Sequence, residues 1–145
     1  MNSAAAQLPS LSVVVSTYRR AELVKKCIES LIDQDYPPDR YEVIVVEDGS
    51  QDARSVVESL QSPGRRLEYL NIPHGGAAAA YEAGLRQASC DLVAFIDDDA
   101  IAPPTWLYQI ASILDRGRPS GVIGAGGHIS GEYPLDKFEA SVSST

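Results

Sequence analysis

The sequence predicts an α/β fold: a mostly parallel sheet with helices on both faces. Three observations predict it. From Leu11 onward, short apolar runs of strand length alternate with stretches of helical periodicity, joined by short connections. The runs, such as Val13 to Val15 and Val43 to Val46, are continuously apolar, as strands covered on both faces are. Three of them give way at the carboxyl end to a polar cluster, where open sheets of this class bind ligands.

Leu11 to Val15 reads as the first strand, ending near Ser16. From Ala21, Val24, Cys27, Ile28, Leu31 and Ile32 recur at helical spacing with charges between them, and Pro37-Pro38 stops that helix. Tyr41 to Val46 is the second strand and runs into Glu47-Asp48-Gly49-Ser50. Asp52 is placed to cap the next helix, in which Ala53, Val56, Val57 and Leu60 share a face, and Pro63-Gly64 ends it. Leu67 to Ile72 is a third strand of weak alternation. His74-Gly75-Gly76 forms a loop before an alanine-rich helix over Ala77 to Ala88. Leu92 to Ile96 is the fourth strand and runs into Asp97-Asp98-Asp99. A helix over Pro103 to Leu114 carries Trp106, Leu107, Ile110, Ile113 and Leu114 on one side, and Gly117 and Pro119 break it. Gly121 to Ala125 reads as a fifth strand. Residues 11–129 thus form one domain, preceded by a loose tail over 1–10 and followed by a weakly patterned stretch over 130–145.

The 145 residues carry 12 basic and 20 acidic side chains, a net charge of −8. That balance speaks against nucleic acid as a partner and against a polybasic grip on anionic lipid. No apolar run approaches the ~18 residues of a membrane span. Residues 1–10 have neither the basic nor the apolar region of a secretory signal. Cys27 and Cys90 read as reduced structural thiols, which suits a cytoplasmic setting. An acidic chain that binds an anionic ligand needs local help from a metal or from backbone amides.

The acid triplet supplies a reason for a metal. Asp97, Asp98 and Asp99 repel one another, and burying any of them is costly without a partner. A hard divalent cation, Mg2+ or Mn2+, removes the conflict, because such ions prefer carboxylate oxygens and share their shell with substrate phosphates. The plainer reading is a helix cap or a solvated acidic turn before Pro103-Pro104. In a parallel sheet the ends of the first, second and fourth strands share one edge. That edge would gather Ser16-Thr17-Tyr18, Glu47-Asp48-Gly49-Ser50 and the triplet. Hydroxyls and carboxylates there can share hydrogen bonds with a ribose or a base, and Gly75-Gly76 can let backbone amides approach a diphosphate.

The segments VVVSTYRR (Val13 to Arg20), VVEDGSQD (Val45 to Asp52), GGAAAAYEAGL (Gly75 to Leu85) and FIDDDAIAPPTWL (Phe95 to Leu107), in this order, resemble the nucleotide-sugar-dependent glycosyltransferases of family 2. The resemblance covers nearly all of residues 11–127 and implies a Rossmann-like sheet of the GT-A type. It implies that Ser16 and Thr17 line the nucleotide pocket with Tyr18 beside the base. It places Asp48, in the turn with Glu47, on the base. Asp97, Asp98 and Asp99 match the family's Asp-x-Asp motif: Asp98 would reach the ribose, Asp99 would ligate the metal, and Asp97 would assist at both. The implied reaction is metal-dependent transfer, with inversion, of a sugar from a nucleotide-diphospho-sugar, UDP-type favoured, to an acceptor hydroxyl. The family often has Pro where Ser16 stands, Asn where Arg19 stands, and Arg-Asn where this chain has Tyr81-Glu82. Its members usually continue into an acceptor-binding half that carries the catalytic base. No base is assignable from Glu132, Asp136 and Glu139, so the chain reads as the donor-binding half. A non-catalytic nucleotide-binding module stays open as the alternative, and an apolar face left by a missing half would suit a homodimer.

Other readings are poorer. A nucleotidyltransferase needs a glycine-rich, arginine-containing phosphate loop after the first strand, and a dehydrogenase needs G-x-G-x-x-G there; Ser16-Thr17-Tyr18-Arg19-Arg20 has no glycine. Among single residues, His128 reads as a loop histidine, Trp106 as core, and Ser50 and Asp52 as turn and cap. Arg19 and Arg20 read equally as phosphate ligands or as a solvated helix start.

Overall fold

The computed structural model describes residues 8–117. In chain order the elements are β1 (Leu11–Thr17), α1 (Ala21–Ile32), β2 (Tyr41–Asp48), α2 (Arg54–Leu60), β3 (Arg66–Ile72), α3 (Ala77–Gln87), β4 (Leu92–Asp97) and α4 (Trp106–Gly117). A single 3-10 turn, Pro38–Arg40, leads into β2. The fifth strand expected over 121–125, His128, and the boundary at 129 lie outside the described residues.

The sheet has the order β3-β2-β1-β4, and all its pairings are parallel. The first, second and fourth strands are thus neighbours, and their carboxyl ends share one edge. Helices cover both faces, unevenly. Leu11, Val13 and Val15 of β1 and Val43 and Val45 of β2 face a core closed by Val24, Cys27, Ile28 and Leu31 of α1, Val57 of α2, and Leu107 and Ala111 of α4. Val14, Ile44 and Val46 face the other way, onto Ala80 of α3. The apolar residues of β1 and β2 therefore have helices to pack on at both faces, which is why these strands read as unbroken apolar runs. Along β4 the cover is thinner on the α3 side, and Phe95 stays 47% exposed with its ring edge-on to Tyr81.

Two strands run further than the apolar pattern suggests. β1 continues through Ser16 and Thr17, and β2 through Glu47 and Asp48, because the parallel register holds to Thr17↔Glu47. The leading tail is also tied down where it is described: Leu8 packs on the core, and the Tyr36 hydroxyl donates to the Pro9 carbonyl at 2.6 Å. α4 starts at Trp106, where its apolar stripe begins, and not at the expected Pro103. The carbonyls of Pro103 and Pro104 are taken by the Gln34 side-chain amide and by the Asp35 N–H.

At the amino ends of the strands, Glu42 is fully buried. It accepts hydrogen bonds from the Ser12 hydroxyl at 2.6 Å, from the Ser89 N–H at 2.7 Å and from the Ser89 hydroxyl, and it pairs with Arg66. Burial alone would raise its pKa, but these donors outweigh burial and hold the carboxyl below its usual range. Cys90 lies at this same end, where its N–H donates to Ser12 Oγ. Both cysteines are free thiols; Cys27 is fully buried and Cys90 is partly exposed.

Two stability measurements follow from this packing. Gly84 sits in α3 directly over β1, and a Cβ there would overlap Val14 Cγ1 and come within 3.2 Å of Val46 Cγ2. Gly84→Ala gains ~1 kcal/mol of helix propensity but overpacks a site where such insertions cost about 1–3 kcal/mol. The expected net result is a lower urea midpoint with an unchanged slope. Glu42→Gln should lower stability at neutral pH. The native pKa is depressed, so its stabilisation is complete above the unfolded-state pKa of about 4.3 and disappears as pH falls through the native value. Urea melts of the two proteins should converge over that acidic window.

Candidate active site

The chain reverses its order at β1: β2 and β3 lie on one side of it and β4 on the other. The carboxyl ends of β1 and β4 are therefore where an open sheet of this kind forms its ligand crevice. A pocket of about 300 Å³ lies there. Ser16, Thr17, Tyr18 and Arg20 line it from the end of β1 and the turn into α1. Asp48 lines it from β2, Ala77 and Tyr81 from α3, and Asp97, Asp98 and Asp99 from the end of β4. Asp48 and Asp99, 51 positions apart in sequence, thus share one cavity.

The two-residue period of a strand sends neighbouring acids to different partners. Glu47 is fully buried on the α2 side. It accepts from the Ser50 hydroxyl at 2.5 Å, from the Tyr69 hydroxyl at 2.6 Å and from the Ala53 N–H at 3.2 Å. This corrects two expectations. Glu47 has no opening onto the pocket, and it, rather than Asp52, satisfies the amide at the start of α2, where no side-chain cap is made. The physical reason is that a buried carboxylate is tolerated only with several donors, and α2, β3 and the turn supply them.

Asp48 points the other way, to the start of α3. Gly75 N–H donates to its Oδ1 at 2.7 Å and Gly76 N–H to its Oδ2 at 2.9 Å, and His74 Nδ1 lies 2.9 Å from Oδ2. The Gly75 amide is the main cause of a carboxyl held below its usual range; burial opposes it, and Gly76 and His74 add to it. The expectation that Gly76 offers its amide to a diphosphate is also corrected, because Asp48 already takes that donor. Gly49 (φ 85°) allows this close approach, since a Cβ there would lie 2.6 Å from His74 Cβ.

The acid triplet does not gather round a common point. Asp97 Oδ1 accepts from the Tyr81 hydroxyl at 2.7 Å. Asp98 is buried and accepts from the Thr17 hydroxyl at 2.8 Å and from Arg20 Nη1 at 3.2 Å. Asp99 is exposed, 3.9 Å from Arg20 Nη1. Among the described residues no group of three His, Cys, Asp or Glu side chains forms a metal cage. The mutual repulsion that motivated a three-acid cage is relieved instead by separate protein partners. Beneath the turn, the Cys27 thiol donates to the Asp97 carbonyl at 3.4 Å, and burial, with the nearby acids, pushes its pKa up to about 12.

Tyr18 stacks on His74 with ring centroids 4.7 Å apart and 22° between planes, and the Arg19 guanidinium lies 5.1 Å from the Tyr18 centroid. Arg19 takes the left-handed conformation (φ 53°) at the bend from β1 into α1, where its N–H donates to Ser50 Oγ. Arg20 then comes to the pocket. Three lining residues were outside the set singled out in sequence, Ala77 of the α3 start among them. Arg20 read equally as a solvated helix start, and Tyr81 stood out only as a departure from a family pattern. Burial and the Asp97 carboxylate raise the Tyr81 pKa, so it is a hydroxyl donor at neutral pH.

Residues 12–139 match the sequence model of glycosyl transferase family 2. Glycosyltransferase AglE of Haloferax volcanii is 33% identical over 129 residues, which is 88% of this chain and 41% of that protein. Among solved structures, residues 1–349 of S. aureus TarS align with a TM-score of 0.69 at 28% identity over 75% of this chain and 33% of theirs. The mannosyltransferase PcManGT of Pyrobaculum calidifontis, solved with GDP-Man and Mn2+, aligns with a TM-score of 0.67 at 29% identity over 75% of this chain and 33% of its own. TarS has also been solved with UDP and with UDP-GlcNAc. The chain spans less than half the length of these relatives.

The two kinds of carboxylate should separate in a denaturation experiment. Glu47→Ala strands the Tyr69 and Ser50 hydroxyls and the Ala53 amide, at a cost of about 2–4 kcal/mol. Asp99→Asn, on a side chain 58% exposed, should leave stability within about 0.5 kcal/mol of the parent.

Proposed function

The chain belongs to glycosyl transferase family 2, and from that premise we propose that it is the donor-binding part of a metal-dependent glycosyltransferase. The reaction is transfer of a sugar, with inversion, from a nucleotide-diphospho-sugar to an acceptor hydroxyl. One observation carries this reading: hydroxyls and acids from the ends of β1, β2 and β4 line a single pocket at the switch point of the sheet. Its volume of about 300 Å³ is at the lower end of small-molecule sites. Solved relatives with UDP-GlcNAc and with GDP-Man and Mn2+ support a donor of this class.

The residues present fit a hard divalent cation of the kind that keeps waters and takes only one or two carboxylates beside substrate phosphates. Asp97 and Asp99 are both exposed and both line the pocket. Asp97 gives only Oδ1 to Tyr81. These two would hold Mg2+ or Mn2+, which when bound supplies positive charge for the departing diphosphate. The chain's own residues do the placing. Ser16 and Thr17 form the floor, and Asp98, locked by Thr17 and Arg20, keeps the acidic turn in register with β1 and faces the ribose. Tyr18, backed by His74, is the flat surface for the base. Asp48, with three donors already bound, keeps acceptor capacity for a base N–H. The base that deprotonates the acceptor is assigned to none of the described residues.

Calorimetry with UDP, GDP and dTDP, with and without Mn2+, tests the reading. One nucleotide should bind in a metal-dependent way, and Asp99→Asn should weaken it at least tenfold, about 1.4 kcal/mol. Equal affinity in EDTA would remove the metal from the account. Release of free sugar or a glycosylated product from a nucleotide-sugar panel separates transfer from binding alone.

A further inference from the structure

Charge is the unusual property of the pocket. Asp48, Asp97, Asp98 and Asp99 give it four carboxylates, and Arg20 is the one lysine or arginine among the described residues that line it. The α3 wall contributes Ala77 and the neutral Tyr81. A diphosphate entering this pocket would find a single protein cation, and that cation is already engaged. Its two engagements differ. Arg20 Nη1 donates to Asp98 Oδ1 at 3.2 Å, and Asp98 is 8% exposed and fixed a second time by the Thr17 hydroxyl. The same Nη1 stands 3.9 Å from Asp99 Oδ2, with Arg20 54% and Asp99 58% exposed. An ion pair that long between half-exposed groups is weak. Both contacts run through Nη1, while a guanidinium offers five donors in a fork that suits phosphate oxygens.

We propose that Arg20 is an exchangeable counter-ion: it balances Asp99 when no cation is bound, and it turns to the diphosphate of the donor when the divalent cation takes Asp99. This deepens the functional reading above and rests on it. The exchange keeps charge balanced at each stage, since the acid released by Arg20 is the one claimed by the metal, and the guanidinium so freed meets the anion that arrives with it. Asp98 remains the pivot, because its second bond, from Thr17, does not depend on Arg20. The same cation therefore competes with the metal and cooperates with the nucleotide. Those are effects of opposite sign, which a residue that merely supports the fold cannot produce.

The measurement is a pair of titrations on the whole chain and on Arg20→Gln and Arg20→Lys. Binding of Mn2+ alone is followed by loss of the free-ion paramagnetic resonance signal. Binding of UDP or GDP, whichever the parent prefers, is followed by calorimetry in saturating Mn2+. Arg20→Gln should bind Mn2+ about threefold more tightly and the nucleoside diphosphate at least about tenfold more weakly. Arg20→Lys should leave Mn2+ binding near that of the parent and recover part of the nucleotide affinity, as a point charge without the fork. Unchanged nucleotide affinity in Arg20→Gln, or metal and nucleotide affinities that fall together in both variants, would overturn the exchange while leaving the functional reading intact. No nucleotide binding by the parent would overturn that reading, and this inference with it.

Discussion

The site depends on the alternation of side chains along parallel strands. Two acids adjacent in sequence cannot share a face of the sheet, so each meets a different set of helices. Glu47 goes to α2 and Asp48 to α3; at the end of β4, Asp97 reaches Tyr81 on α3, and Asp98, in the turn that follows, reaches Thr17 and Arg20. Carboxylates that would repel one another as a cluster are thereby given separate donors. Of Glu47 and Asp48 only the second opens on the pocket, whereas Asp97 and Asp98 both line it.

Placement of the pocket follows from topology rather than from any one motif. β1 has β2 and β4 as neighbours, so the two strand ends richest in polar groups flank it. The crossover through α3 passes on the face opposite α1 and α2, and its first two turns close the pocket with Ala77 and Tyr81. The loop before α3 is bound to Asp48 through two consecutive glycine amides, so the start of that helix is positioned by a residue of the pocket itself. Binding surface and scaffold are here the same atoms.

Much of this was legible in the sequence. Continuous apolar runs mark strands covered on both faces, and they gave the four strands of the described residues, their parallel pairing and the shared edge of β1, β2 and β4. Boundaries were less legible because hydrophobicity stops before backbone pairing does: Ser16, Thr17, Glu47 and Asp48 are polar residues within strands. The division of labour among acids was hidden for a related reason. A string of letters shows that Glu47 and Asp48 are neighbours, and only the three donors of Ser50, Ala53 and Tyr69 show that one is structural. Tyr81 and Asp97 are 16 positions apart, and no local pattern announces that their side chains touch.

The unequal burial of the two thiols makes the molecule simple to label. Cys27 is sealed under the acidic turn with its proton held tightly, so maleimide or iodoacetamide reagents have neither access nor a thiolate to attack. Cys90 sits partly open at the opposite end of the sheet, next to Ser12 and Ser89. A fluorophore or spin probe added to the native protein would therefore report from one known position, remote from the pocket, without any engineered cysteine.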